Sequence, residues 1–547
     1  MFGLKGVYFY LIAAQIAIIK FCKKFYFSTN YYNKSLVSKT PQQVYFNPNP
    51  FLLSILTSYK KDSFKINEID PNIFWFQQKN KNLGELHKFL WLNLINRKID
   101  GKKLQKIINI WMLKNCKYKR KIWDSSTLSL RLISWVLNID VILHNGSFDF
   151  KKRVLDIIIS QSIHLKKNIR FEKDYSKRMQ ILTALILTGL VFKEYEENFK
   201  IGIKELEKLI GYFFDSDGFP LSRNPHDLIF FSKYLFLCKE CIKDAQKYVP
   251  EFLDTIIDKN LNSIKFIKTP NNFVPLFNGA LESSLDQLNK YLNDFSNKKQ
   301  SKKDFIGGIY AKKLKQHFVL FDVGDPPKKR FSKSYQSGPL SFEYYLDSLK
   351  IITNCGFGKQ ISRKAELLSR LTATQSTLTI NDTTVTKFER NKLINKVFGN
   401  SIKNSFKVTD LNITDTKEFF GCSASHDGYE SNFGCTHKRE IYLDKLNNKL
   451  KGTDRILKKK NGIPIKYAFR FYINPRLAVV KTMSGKSALI QISKNKSLIF
   501  TATDEILELE KSIFLGGKKI LDNTCITISG NLVNKDKVIN WEIKKNI

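Results

Sequence analysis

The densest run of reactive side chains in this 547-residue chain lies between residues 426 and 437. His426, Asp427, Tyr429 and His437 could hydrogen-bond a substrate, whereas a metal site would need a further ligand that we cannot assign from the sequence. Asp427 precedes a glycine, which is typical of a turn after a strand, so both histidines could instead be hydrogen-bonded between strands. His426, Tyr429 and His437 are therefore candidate substrate-binding residues, with a structural role as the alternative, and we expect no metal.

Other side chains are suited to proton transfer or to holding an anion. Tyr335 is a candidate acid or base if a neighbouring cation lowers the pKa of its phenol from about 10, and a solvent-facing loop tyrosine is the alternative. Lys177 and Arg178 could pair with a carboxylate, Arg178 with the better bidentate geometry. Gln336 and Gln375 could donate through their amides to sugar hydroxyls or a carboxylate, although an amide cannot act as a base.

The eight cysteines do not follow the spacing of a disulfide framework or of a zinc site. Cys238 and Cys241 form a Cys-x-x-Cys pair, but they lie in a segment with helical periodicity and have no second pair. The sequence therefore predicts two buried helix cysteines and no cofactor.

Positive charge is the strongest feature of the composition. The chain has 91 Lys and Arg against 50 Asp and Glu, a formal net charge of +41. Such a field attracts anionic polymers or lipids. Because the lysines are scattered along the whole chain, a compositional drift toward Lys, Asn and Ile would explain the same count. No motif of the known nucleic-acid-binding modules is present, so we expect no nucleic-acid partner.

Residues 7–19 are an apolar run that ends at Lys20. The run is shorter than the ~20 apolar residues of a membrane span, and no small-x-small cleavage site follows it. The pattern favours a buried first helix, which would suit a cytoplasmic protein. An uncleaved anchor or a peripheral membrane contact through 7–19 is the alternative, and it would place the protein in the cell envelope or periplasm.

The apolar period changes once along the chain. From about residue 83 to 292, apolar residues recur at spacings of three and four, as at Leu104, Ile107, Ile108 and Trp111. Residues 293–304 are polar and lysine-rich, and beyond them the period becomes two. We therefore predict a helical domain over 83–292 with residues 1–82 packed on it, a linker over 293–304, and an antiparallel β-sandwich over 305–547.

Several segments, taken in order, resemble the heparinase II/III family of polysaccharide lyases. They include the run from Ser332 to Glu343, the Asn-Cys-Gly at 354–356, the run from Arg370 to Leu378, and the block from Ser425 to Arg439. The resemblance extends to residues 217–225 and 276–279 in the helical half. It implies an N-terminal (α/α) toroid of antiparallel helices followed by a C-terminal antiparallel β-sandwich. It also implies β-elimination on uronate-containing glycans, with an anionic polysaccharide as partner.

The same resemblance assigns roles to individual positions. In β-elimination, a base removes the proton from C5 of the uronate sugar, and an acid protonates the departing glycosidic oxygen. Hydrogen-bond donors must also neutralise the uronate carboxylate. The family's tyrosine falls near Asp227, which makes the adjacent His226 a catalytic candidate beside Tyr335. Arg223 and Asn224 in the same loop become substrate-binding candidates. The two family histidines of the β-domain fall at Gln336 and Gln375, and its asparagine near Ser176, so the alternative is a catalytically impaired member that binds an anionic envelope glycan.

Overall fold

Helices dominate the chain up to residue 295, as the apolar periodicity predicts. The computed structural model describes residues 4–57, 70–75, 84–95, 101–295, 303–459 and 463–546. Polar side chains begin several helices by accepting backbone N–H groups: Asp124, Ser147 and Asp174 cap the helices that follow them. The longer α-helices before residue 296 are Leu4–Phe27, Gly101–Asn115, Ser125–Leu137, Phe148–Asn168, Tyr175–Val191, Glu196–Phe213, Pro225–Asp244 and Glu251–Ile267. Shorter helices are Asn30–Lys34, Ile139–Leu143 and Asn289–Phe295.

The chain divides into two units. The first comprises Met1–Phe213 and Phe230–Lys259, and the second comprises Phe214–Ile229 and Asn260–Ile547. The loop that carries Arg223, Asn224 and His226 therefore belongs to the second unit. The predicted boundary at residues 82 and 83 lies outside the described residues, as do residues 296–302 of the predicted linker.

The predicted first helix forms, but it is not buried. In Leu4–Phe27, Ala13 is enclosed, whereas Tyr8, Leu11 and Ile18 are 60 to 64% exposed. The expectation of a buried helix over residues 7–19 is therefore wrong, because apolar side chains lie all round the helix and only a narrow strip of it is covered. No helix among the described residues is both long and apolar enough to span a bilayer.

The second unit contains two antiparallel sheets, which confirms the predicted β-sandwich. The strands are β1 Phe305–Ile306, β2 Ile309–Leu314, β3 His317–Asp322, β4 Phe342–Leu346, β5 Leu349–Thr353, β6 Leu378–Ile380, β7 Val408–Asp415, β8 Phe419–His426, β9 Cys435–Asp444, β10 Lys449–Lys458, β11 Ile465–Ile473, β12 Ala478–Lys481, β13 Ser487–Ser493, β14 Lys496–Ala502, β15 Glu508–Phe514, β16 Leu521–Leu532 and β17 Lys537–Lys545. One sheet has the order β1-β2-β3-β4-β5-β11-β16-β15, with β6 paired to β11, and the other has the order β12-β13-β14-β17-β10-β9-β8-β7. Short helices Arg363–Leu368, Lys392–Phe398 and Glu430–Phe433 interrupt them.

The core of the second unit is formed by side chains from both sheets. Phe342 of β4 stacks on Trp541 of β17 with ring centroids 5.4 Å apart, and Phe471 of β11 meets the same indole at 5.1 Å. Alternation of buried and exposed residues along β10 and β17 turns one face of each strand toward this core. The sandwich therefore provides a rigid base for the loops that carry the candidate site.

Candidate functional site

Arg223 is a buried structural clamp in the second unit. Its guanidinium forms an ion pair with Asp322 at the end of β3. It also donates at 2.9 to 3.2 Å to the main-chain carbonyl oxygens of Gly307, Gly308, Gly324 and Asp325. A side chain at Gly308 or Gly324 would collide with the guanidinium, so close approach requires glycine there. Its five donor contacts are all made within the protein, and the substrate-binding role of Arg223 stays a prediction.

Tyr335 lies beside this clamp. It is only 1% exposed, so the alternative of a solvent-facing loop tyrosine is wrong. Burial, together with the nearby Asp322, raises the pKa of its phenol well above 10, although Arg223 opposes the shift. The predicted lowering of this pKa is therefore wrong as well, because the nearby cation is outweighed by burial. Tyr335 would remain protonated at neutral pH, as a proton donor must, but could not act as a base.

Asn224 and His226 begin the helix Pro225–Asp244. The Asn224 carboxamide oxygen accepts the His226 backbone N–H at 2.9 Å, and its nitrogen donates to Ser334 Oγ at 3.3 Å. Nδ1 of His226 lies 3.5 Å from Ser283 Oγ, and the imidazole is half-buried. Asn224 therefore caps the helix and holds the loop in place, and its substrate-binding role stays a prediction. His226 is the imidazole near the family's tyrosine position, and its catalytic role stays a prediction.

Gln336 and Gln375, which the resemblance aligns with two family histidines, are both buried. The Gln336 oxygen accepts the Gly279 N–H at 2.9 Å, and its nitrogen donates to the carbonyl oxygens of Gly356 at 3.0 Å and Ser369 at 2.6 Å. The Gln375 nitrogen donates to the same Ser369 oxygen at 3.0 Å. The two amides thus converge on one carbonyl group. They hold the main chain of their own loops together, and the prediction that they bind a substrate stays a prediction.

Both histidines of the polar block between 426 and 437 are buried in the core of the sandwich. His426 of β8 faces His437 of β9 across the ladder, with ring centroids 5.3 Å apart. His426 Nδ1 accepts the Gly428 N–H at 3.1 Å, and His437 Nε2 lies 2.7 Å from Asp454 Oδ1. Burial lowers the pKa of both imidazoles, so both are neutral at pH 7. Both are at most 1% exposed, which favours the structural alternative, and their contact with a substrate stays a prediction.

Asp454 is the centre of that buried network, and the sequence analysis missed it. Arg439 donates to its carboxylate through Nε at 2.7 Å and through a second nitrogen at 3.1 Å, and Trp541 Nε1 donates at 2.8 Å. Burial alone would raise the pKa of Asp454, but the charge of Arg439 and the bond to His437 outweigh it and lower the pKa to about 2. Alternation along β10 predicts that residue 454 faces the core. A charged residue at a core position needs a buried partner, and this could have identified Asp454 from the sequence.

Tyr429 is also buried, and its contact with a substrate stays a prediction. Its hydroxyl donates to the carbonyl oxygen of Leu378 at 3.0 Å, and burial raises the pKa of the phenol. This bond ties the turn after β8 to β6 of the other sheet. Tyr429 therefore stabilises the sandwich.

Lys177 and Arg178 lie in the first unit, on the helix Tyr175–Val191, and each has a carboxylate partner there. Lys177 Nζ lies 2.8 Å from Asp124, and Arg178 donates to Glu205 at 2.9 Å. Burial would lower the pKa of Lys177, but Asp124 outweighs it and the pKa is raised. A substrate carboxylate would have to displace these partners, so the substrate-binding role of the two residues stays a prediction.

Cys238 and Cys241 are buried in the helix Pro225–Asp244, as predicted. Burial raises the pKa of both thiols, so neither is a thiolate at neutral pH. Within the described ranges, no group of three or more His, Cys, Asp or Glu residues could hold a metal ion.

Comparison with known proteins agrees with this fold. Residues 303–542 match the family "Heparinase II/III-like, C-terminal". A crystal structure of heparinase III superposes with a TM-score of 0.68 at 12% identity, covering 97% of this chain and 91% of the other. A mutant of the heparan sulfate lyase HepC from Pedobacter heparinus superposes with a TM-score of 0.65 at 13% identity, covering 91% and 82%. The FtsZ-localized protein C of Caulobacter vibrioides is 22% identical over 433 residues, covering 75% of this chain and 72% of that protein.

Proposed function

The chain is a heparinase II/III-like protein, and on that premise we propose that it binds an anionic polysaccharide without cleaving it. The observation that carries the proposal is the burial of two glutamines that the resemblance aligns with the family histidines. Gln336 and Gln375 are both buried, and both amides donate to the Ser369 carbonyl oxygen. An amide cannot take a proton from a sugar carbon, so the β-domain lacks its usual base at these positions.

The neighbouring groups support the same conclusion. Arg223 makes all its contacts within the protein, and Tyr335 has a pKa raised by burial. Neither of these side chains is available to neutralise the carboxylate of a uronate sugar or to remove the proton from its C5. The charge of +41 nevertheless favours encounter with acidic polymers. Attraction for acidic polymers, combined with amides at 336 and 375 that cannot take a proton, supports binding without cleavage.

A paired assay on uronate polymers tests this function. We expect the purified protein to bind heparin or polygalacturonate by calorimetry while ultraviolet absorbance, which reports the unsaturated product, does not rise. An active heparinase III under the same conditions is the positive control. Absence of binding to every acidic glycan would refute the proposal.

The same assay decides the lyase alternative, for which His226 is the remaining candidate base. If product accumulates, and His226→Ala abolishes it while His144→Ala does not, then the chain is an enzyme and our proposal is wrong. His144 is an exposed imidazole of the first unit and serves as the matched control.

The exposed N-terminal helix favours a second candidate, recruitment to a cell structure. Among residues 8–27, nine large apolar or aromatic side chains are exposed: Tyr8, Phe9, Tyr10, Leu11, Ile18, Ile19, Phe21, Phe25 and Tyr26. Lys20 and Lys24 are exposed on the same helix. Such a helix suits the interface of an anionic bilayer, where aromatic rings and lysine stems find both apolar and charged surroundings. We propose that Leu4–Phe27 attaches the protein to a membrane surface.

Flotation with lipid vesicles tests this attachment. We expect the protein to float with vesicles containing phosphatidylglycerol, and the double variant Phe21→Ser, Phe25→Ser to lose at least about tenfold in partitioning, since each buried Phe contributes roughly 1.5–3 kcal/mol. The control replaces the exposed Phe148 and Tyr248 by serine. Equal flotation of the two double variants would contradict the proposal. Addition of FtsZ filaments to the same vesicles would reveal whether this chain shares the localisation for which its Caulobacter relative is named.

A further inference from the structure

We propose that a basic surface formed by residues 325–334 and 387–407 of the second unit is the site at which an acidic polysaccharide binds. This inference rests on the proposed function and names the place where that function is carried out. Segment 325–334 contains Lys328, Lys329, Arg330 and Lys333, and segment 387–407 contains Lys387, Arg390, Lys392, Lys396, Lys403 and Lys407. The two segments hold only two carboxylates, Asp325 and Glu389, so the surface carries a surplus of eight positive charges.

The two segments are joined into one surface by hydrogen bonds and packing. The Ile402 N–H donates to Ser332 Oγ at 3.0 Å, and Gly399 packs against the aliphatic stem of Lys333, where a side chain at 399 would come within 2.8 Å of it. Gly399 has a φ of 77°, a left-handed conformation that favours glycine. The two segments therefore lie against each other, although more than fifty residues separate them in sequence.

The segment 387–407 is itself held in a fixed shape. Main-chain bonds join Glu389 to Ser401 at 2.9 Å and Lys403 to Lys387 at 2.7 Å. Asn391 caps the helix Lys392–Phe398 by accepting two backbone N–H groups. The segment is thus preorganised, which reduces the entropy lost when its lysines bind a chain.

The two carboxylates neutralise only a small part of the surface. Glu389 is 7% exposed and lies 3.4 Å from Lys403, and Lys329 also acts on it electrostatically. Asp325 pairs with Lys407 at 2.7 Å. The side chains of Lys328, Arg390, Lys392 and Lys396 are exposed and point their charges toward solvent. Repulsion among so many like charges is relieved by a polyanion that lies across them.

The surface is continuous with the loop of the family's histidine position. Arg370 donates to the carbonyl oxygens of Ser332 at 3.0 Å and Tyr335 at 2.8 Å, and its guanidinium lies 4.1 Å from the ring centroid of Phe388. Residues 325–334 lead directly into Tyr335 and Gln336. A glycan bound on this surface would therefore run toward the position at which active family members are expected to perform catalysis.

The composition of the surface favours a charged polymer over a bilayer. None of the described large apolar side chains between residues 369 and 410 or between 325 and 334 is exposed, in contrast to the N-terminal helix. A bilayer-binding surface would present apolar groups for insertion, whereas a chain with regularly spaced carboxylate or sulfate groups needs only cations. An acidic polysaccharide is the occupant that fits both the surface and the fold.

Charge neutralisation on this surface tests the inference. The patch variant changes four exposed cations to glutamine: Lys328, Arg390, Lys392 and Lys396. The control variant changes four exposed lysines elsewhere in the same unit to glutamine: Lys481, Lys494, Lys496 and Lys519. Both lose the same net charge, so general attraction is matched, and the circular dichroism of both should equal that of the parent protein. The probe is heparin, with polygalacturonate as an unsulfated comparison.

At 0.1 M salt, we expect the patch variant to bind heparin at least about tenfold more weakly than the parent protein does. The affinity of the control variant for heparin should fall by less than about threefold. The slope of log K against log salt concentration should fall by about three in the patch variant, since each lost contact removes roughly 0.7–0.9. If the parent binds heparin and both variants weaken equally, this inference is overturned and the proposed function stands. If the parent binds no acidic glycan, the proposed function fails as well. Weakening confined to anionic vesicles or to DNA would also overturn the assignment.

Discussion

Replacing Arg223 by alanine is expected to lower the free energy of unfolding by about 3–5 kcal/mol, the usual cost of leaving one partner of a buried ion pair alone. Asp322 would remain buried without its cation, and the carbonyl oxygens of Gly307, Gly308 and Gly324 would lose their donor. A loop of residues 214–229 and the end of β3 would come apart. Urea denaturation measures the loss, and hydrogen exchange of β2 and β3 locates it.

A matched control separates this effect from the loss of any arginine. Arg476 is exposed, and Arg476→Ala should change stability by less than about 0.5 kcal/mol. The double variant Arg223→Met, Asp322→Leu removes both charges, and it should recover part of the stability because no unpaired charge remains. If Arg223→Ala were as stable as Arg476→Ala, the clamp would not hold the loop in solution.

The second large effect is expected at Asp454. Its carboxylate accepts from Arg439, His437 and Trp541 in the core of the sandwich, and it is fully buried. Asp454→Ala leaves the Arg439 guanidinium buried beside an empty space, so we expect a loss of about 3–5 kcal/mol in the free energy of unfolding. Trp541 fluorescence should change as well, because its indole N–H loses its acceptor. Asp522→Ala on β16, which is exposed, is the control.

The pH dependence gives a second test of the same residue. The pKa of Asp454 is lowered to about 2, below its ordinary value, so the ionised carboxylate stabilises the folded state above about pH 4. That stabilisation is lost as the pH falls from about 4 toward 2. The stability difference between the parent and Asp454→Asn should therefore be constant above pH 4 and shrink below it. A difference independent of pH down to pH 2 would mean that Asp454 carries no charge in the fold.

The fold could be predicted from the sequence because the apolar patterns of its helices and strands involve residues close together in the chain. Leu104, Ile107, Ile108 and Trp111 predicted a helix face, and all four are buried in Gly101–Asn115. The period of two beyond residue 304 likewise predicted strands, and Leu349–Thr353 and Ile465–Ile473 are two of them. The first helix was misjudged, because an apolar run of residues 7–19 has the same pattern whether protein or another medium covers it.

The candidate site was harder to predict from the sequence, because the burial and the hydrogen-bond partners of a side chain depend on residues distant in sequence. Nothing near Arg223 in the chain indicates that Asp322, 99 residues later, accepts its guanidinium. The same holds for Asp454 and Arg439, which meet only because β9 and β10 pair in one register. The imidazoles of His426 and His437 led us to predict contact with a substrate, whereas the fold buries both of them in the core. The basic segment 387–407 was missed, although its six cations against one carboxylate were visible in the sequence.

The convergence of two glutamines on one carbonyl group has a consequence for engineering these loops. A histidine introduced at 336 alone would remove both the acceptor of the Gly279 N–H and a donor to Gly356, so the substituted chain would be less stable. An imidazole could therefore be introduced here only together with changes around Ser369 that replace those hydrogen bonds.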